Sequence, residues 1–151
     1  MKVIFFDVDG VLNSMECKGR FNNNNVKMLA EIQKRSNGVL VICSTWKTLP
    51  ESHEMYISLL DKLKEFNLSI YDKTANINKG RPYEIKEWID RHAEVEEYVL
   101  LDDDYPAREY AKFGLDEHLV HTVYFCNNTS EGGLQKEHVE KALKILKNIE
   151  E

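Results

Sequence analysis

At 151 residues, 42% apolar and 30% charged, the chain has the length and makeup of one ordinary globular domain covering 1–151. A formal net charge of −6 without any strong basic run excludes a general nucleic-acid coat protein, which binds through clustered Lys and Arg. The run 3–6 is far too short for a signal peptide or a membrane span and is cut off by Asp7 and Asp9, so no membrane partner is expected.

Residues 3–6 are β-branched and aromatic, as expected of a strand buried on both faces. The stretch 13–24, with Gly19 and the Asn22–Asn25 run, is long for a connection and predicts a loop or small flap near the end of that strand. The Asn run itself reads as turn and helix-cap chemistry. A helix is predicted over 25–36 from Val26, Leu29, Ala30 and Ile32, stopped by Asn37-Gly38. A second buried strand follows at 39–43, a helix at 50–66 and a third strand at 68–71. Pro82 suits the first turn of a helix carrying Ile85, Trp88 and Ile89. Strands at 98–101 and 119–125 come next. The tail from Leu134 places Val139, Ala142, Leu143, Leu146 and Ile149 on one face of a last, core-packing helix. Such alternation predicts an α/β fold: a Rossmann-like, doubly wound parallel sheet of about five strands with helices on both faces.

Ligands of open α/β sheets bind beyond the carboxyl ends of the strands, so polar residues there carry the most meaning. Strand one runs into Asp7-Val8-Asp9-Gly10, strand two into Ser44-Thr45 and strand four into Asp102-Asp103-Asp104. Lys79-Gly80-Arg81 precedes a helix. Five carboxylates at one sheet edge repel unless a cation sits among them, and oxygen-only ligands beside a phosphate site fit Mg²⁺. Residues i and i+2 of a strand share a face, so Asp7 and Asp9 can converge on one phosphate. One acts as nucleophile and the other as acid and base. A hydroxyl from Ser44 and an ammonium from Lys79 would hold phosphoryl oxygens. Gly10 allows a tight turn beneath the site.

These residues resemble the haloacid dehalogenase (HAD) superfamily, chiefly its phosphatases. Phe5-Phe6-Asp7-Val8-Asp9-Gly10-Val11-Leu12 resembles its first motif, and Val41-Ile42-Cys43-Ser44-Thr45-Trp46 the second. Lys79 stands where the third motif's basic residue usually lies, with Arg81 the alternative, and Tyr98–Asp103 resembles the fourth. The resemblance implies Asp7 as nucleophile and metal ligand and Asp9 as general acid/base with its backbone carbonyl on the metal. Ser44, Thr45, Lys79 and Arg81 would bind phosphate, and Asp102 and Asp103 would complete the Mg²⁺ site. Asp104 could share the metal with Asp103 but is expected to point away. Asp9 also separates the chain from the dehalogenases, which generally lack that second acid. The intervals 11–43 and 45–78 leave no room for a cap domain, so the site should lie open to a large phosphomonoester. Ser-Thr-Trp-Lys, Arg81-xx-Glu84-Ile85-xx-Trp88-Ile89, Leu101-Asp-Asp-Asp and Gly133-Leu134 together resemble capless domains of RNA-repair proteins and polynucleotide 3′-phosphatases. The implied substrate is a nucleic-acid end or a phosphoprotein. The alternative is a non-catalytic or regulatory phosphate-binding module on the same fold. A response-regulator receiver fits less well, because its phospho-acceptor ends a middle strand.

Other features carry plainer readings. Cys17, Cys43 and Cys126 lack zinc spacing and are expected to be reduced thiols in a cytoplasmic protein. None of the five histidines pairs with the acids, and His118/His121 is a weak metal signal. Trp46 either stacks on a base or packs under the loop. Lys18 and Arg20 are expected to be solvated loop charges.

Overall fold

The computed structural model describes residues 1–128 and 130–148. Five parallel strands, β1 (Lys2–Phe6), β2 (Val39–Ile42), β3 (Ile70–Lys73), β4 (Glu97–Asp102) and β5 (Leu119–His121), form one sheet in the order β3-β2-β1-β4-β5. Between them run α1 (Asn23–Ser36), α2 (Glu54–Glu65), α3 (Arg81–Asp90) and α4 (Ala107–Ala111); α5 (Lys136–Ile145) follows β5. The fold is the expected Rossmann-like α/β sheet. Only a loop and α1 separate β1 from β2, and only a 3-10 turn and α2 separate β2 from β3, so no cap is present among the described residues.

Successive side chains of β1 face opposite layers, as strand geometry requires. Ile4 and Phe6 pack with α1, α2 and α5 through Leu29, Leu63 and Val139. Val3 and Phe5 pack with α3 and α4 through Ile85, Trp88 and Tyr110. Both layers are apolar, which explains why β1 reads as an unbroken hydrophobic run. No helix of the described residues is long and apolar enough to cross a membrane.

The element boundaries shift for local reasons. Asn22 caps α1 by accepting from the backbone N–H of Asn24 and Asn25, which starts the helix two residues earlier than predicted. The helix predicted over 50–66 begins at Glu54. Residues Thr45–Thr48 form a 3-10 turn, and Leu49 before Pro50 is extended. The third strand starts at Ile70, because Leu68 is spent on the end of α2. With Asn67 at φ +61°, the Leu68 N–H donates to Leu63 O and the Asn67 N–H to Lys64 O. The fifth strand stops at His121 although 119–125 was predicted. Its neighbour β4 ends at Asp102, whose carbonyl takes the Thr122 N–H, and nothing lies beyond to pair with. Val139, Ala142, Leu143 and Leu146 are buried as predicted, and Ile149 lies outside the described residues.

Candidate active site

Parallel register builds the site. Phe6 lies level with Ile42 on β2 and Leu101 on β4, so Asp7, Cys43 and Asp102 come next at the carboxyl ends of three adjacent strands. The Asp7 N–H still donates to Leu101 O at 3.0 Å, and the Cys43 N–H to Phe6 O at 3.1 Å. The chain runs from β1 to β2 and β3 on one side and returns from β3 to β4 on the other, so the end of β1 lies at the usual ligand crevice of such sheets.

Three acids meet at that point. Oxygens of Asp7, Asp102 and Asp103 all lie within 4.8 Å of one another. Asp7 is buried; Oδ1 accepts from the Val8 N–H at 2.8 Å and Oδ2 from the Arg81 guanidinium at 3.1 Å. The same guanidinium nitrogen donates to Asp102 Oδ1 at 2.6 Å. Asp102 Oδ2 accepts from the buried Tyr110 hydroxyl at 2.5 Å, and its Oδ1 from the Asp104 N–H at 3.0 Å. Burial pushes the Asp7 carboxyl up to about 8 against the pull of Arg81, with Asp102 and Asp103 adding to the rise. Burial likewise raises Asp103 to about 6. Asp103 Oδ1 is buried without a hydrogen-bond partner. Clustered carboxylates that ionise reluctantly, one with an orphaned oxygen, are a donor set suited to a hard cation.

Asp9 stands apart from this trio and is exposed. Its Oδ1 accepts from Asn13 Nδ2 at 2.9 Å and its Oδ2 from the Trp46 indole N–H at 3.0 Å. Trp46 is itself buried against Phe21, so it packs under the loop as one of its two readings had it. Asn13 also receives the Gly10 N–H at 3.0 Å. Gly10 has φ +84°, and a Cβ there would lie 2.0 Å from Asp103 Cγ, so only glycine lets the two acid loops touch. Its carbonyl accepts from the buried Thr122 hydroxyl at 2.6 Å.

A cleft of about 360 Å³ opens above these groups, lined by Asp7, Asp9, Thr45, Arg81, Asp103, Asp104, Tyr124 and Phe125. Arg81 is among the acids; Lys79 is not. The Lys79 side chain is exposed and its ammonium lies over the Tyr83 ring at 4.9 Å. The preceding Gly80 has φ +91°, which turns the chain so that Arg81, on the first turn of α3, enters the site. Thr45 faces the cleft, whereas Ser44 is buried and its hydroxyl oxygen accepts from the Trp46 N–H at 3.2 Å. Asp104 is exposed on the rim. Lys47, also buried, pairs with Glu84 at 2.8 Å and donates to Thr74 at 2.7 Å. It thereby fastens the turn after β2 to α3 and the chain leading to Arg81. Four of the five histidines serve packing or capping: His92 stacks on Trp88, His118 on Tyr98, and His53 and His138 cap helices, while His121 is exposed at the end of β5. All three cysteines are free thiols. Arg20 pairs with Glu54 on α2.

Sequence reasoning missed Asn13, Thr122 and Tyr110. Asn13 stands four residues after Asp9, within reach of a turn, which was a usable local signal. Thr122 and Tyr110 reach the site through tertiary packing alone.

A family model described as "HAD domain in Swiss Army Knife RNA repair proteins" matches residues 3–139. Among solved structures, a Legionella pneumophila protein classed as a HAD superfamily (subfamily III A) hydrolase superposes with a TM-score of 0.52 at 12% identity. That alignment covers 96% of this chain and 83% of the other, and it speaks for the fold. No curated protein sequence matches the chain.

Proposed function

Since this chain belongs to the family of HAD domains found in RNA repair proteins, we propose that it is a Mg²⁺-dependent phosphomonoester hydrolase working through an aspartyl-phosphate. The observation that carries the reading is the placement of Asp7 among Asp102, Asp103 and Arg81 with Asp9 held beside it. Asp7 attacks phosphorus, and the bond from phosphorus to the ester oxygen breaks. Asp9, as the general acid, gives a proton to that oxygen, and the alcohol leaves. Asp9 then takes a proton from water as the water attacks phosphorus; the bond to Asp7 breaks and phosphate departs. Asn13 and Trp46 fix both oxygens of Asp9 while leaving it open to the cleft.

Asp7, Asp102 and Asp103, with the Asp9 backbone carbonyl, would hold the Mg²⁺. When bound, the ion supplies the neutralising charge between a phosphate and an incoming carboxylate. Arg81 takes the third-motif role in this reading, because its guanidinium is already on Asp7; Lys79 is left to the outer rim. Thr45 offers its exposed hydroxyl to the phosphoryl oxygens, and Ser44 shapes the turn that presents it. The capless cleft leaves space for a large substrate, and the family's association with RNA repair favours a nucleic-acid end.

The test is phosphate release with Mg²⁺ or EDTA from an aryl phosphate, nucleotides, phosphopeptides, and 3′- and 5′-phosphorylated oligonucleotides, beside Asp7→Asn. Metal-dependent turnover abolished in the variant is expected. Absence of turnover on every substrate refutes the reading in favour of a regulatory module.

A further inference from the structure

Three of the large apolar side chains exposed among the described residues gather at one place. Met15, Val123 and Phe125 line a recess of about 450 Å³ that shares Phe125 with the acid cleft. Phe125 is 77% exposed, so its place in the fold contributes little burial. The segment is nevertheless fixed. Met15 N–H donates to Tyr124 O at 2.9 Å, Gly133 N–H donates to Val123 O at 2.8 Å, and Tyr124 props the Phe125 ring edge-on at 5.2 Å.

A largely exposed phenyl ring at the rim of the acid cleft, on a backbone tied at Val123 and Tyr124, is a stacking surface. Charge narrows what stacks there. Asp9, Asp103 and Asp104 line the cleft, and the chain carries −6 overall, so phosphates beyond the reacting one find repulsion rather than a basic track. A planar, neutral group attached close to the reacting phosphate, in place of a further phosphate, suits such a rim. A phosphotyrosine ring, bonded directly to its phosphate, would instead have to lie inside the cleft.

We propose that Phe125, backed by Met15 and Val123, is the platform on which the base of the phosphate-bearing terminal nucleotide stacks. The proposal rests on the phosphatase reading and deepens it: the substrate is an unpaired nucleic-acid end, recognised by its last base without regard to base identity. Binding accordingly depends only shallowly on salt.

The experiment compares wild type, Phe125→Ala and Phe125→Trp on oligonucleotides with a terminal phosphate on a normal or an abasic last nucleotide. Wild type should favour the normal end about 5- to 100-fold in kcat/KM through KM, Phe125→Ala should bring that ratio near one, and Phe125→Trp should restore it. An unchanged ratio in Phe125→Ala overturns the proposal. So does a wild-type preference for phosphopeptides that depends on Phe125, or a change in oligomeric state, read by light scattering, as the sole effect of the variant. A second arm is independent of turnover: quenching of a terminal 2-aminopurine bound to each protein with Asp7→Asn in place. Quenching lost with Phe125→Ala upholds the platform even if hydrolysis is absent and the phosphatase reading alone fails; equal quenching in both refutes the platform.

Discussion

Replacing Asp103 by Asn should stabilise the metal-free protein while weakening its response to Mg²⁺. Both raised carboxyls, Asp7 at about 8 and Asp103 at about 6, sit above their values in the unfolded chain. The unfolded chain therefore ionises first as pH climbs from about 4, and each group subtracts stability until its folded value is passed. For Asp103 the rise of roughly two units corresponds to about 3 kcal/mol at about 1.36 kcal/mol per unit, reduced to about 1–2 kcal/mol for a half-exposed, solvent-screened group. At about 2–4 °C per kcal/mol for a chain of this size, Asp103→Asn should raise Tm in EDTA by about 2–8 °C at pH 8.5. The gain should shrink at pH 4.5, where most of the cost has yet to develop. In the wild type, Mg²⁺ should raise Tm more at pH 8.5 than at pH 4.5, because ligation requires ionised carboxylates. That rise should be smaller in the variant. Thermal melts at both pH values, with EDTA or Mg²⁺, decide the matter. An unchanged or lower Tm for Asp103→Asn in EDTA at pH 8.5 would show that the cluster is not electrostatically strained.

Trp46→Phe keeps a ring against Phe21 but deletes the indole donor to Asp9. Turnover should fall about 10- to 100-fold in kcat with KM little changed, and equal kcat values in steady-state assays would mean that Asp9 needs no such support. Lys47→Met leaves Glu84 buried without its cation and should destabilise the fold by about 3–5 kcal/mol in urea unfolding. Lys47→Met combined with Glu84→Leu should recover much of that loss, and a double variant weaker than Lys47→Met would contradict an ion-pair origin.

The sheet was legible in the sequence because four of its five strands centre on short apolar runs, β3 (Ile70–Lys73) being half charged, and each long helix carries a periodic stripe. Asp7, Asp9 and Asp102–Asp104 were legible for a related reason: charge directly after such a run can only lie at the strand's carboxyl end. What escaped depends on directions that sequence spacing does not encode. Lys79 and Arg81 are two residues apart, yet the positive φ of Gly80 sends one to Tyr83 and the other to Asp7. Helix α4 has only five residues and too few apolar positions for a period to show, so Tyr110, the hydroxyl partner of Asp102, was hidden with it. Val123 to Phe125 continue the apolar pattern of β5 and read as strand, while the absence of a neighbour to pair with turns them outward.

The loop that carries Asp7 and Asp9 is held by residues more than a hundred positions further along the sequence. Gly10 is tied by the Thr122 hydroxyl, Val11 O by the Leu134 N–H, and Asn25 at the start of α1 by the carbonyls of Gly132 and Leu134. A substitution that loosens the segment 122–134 therefore leaves both acids of the first motif in place but frees their loop, far from the cleft itself.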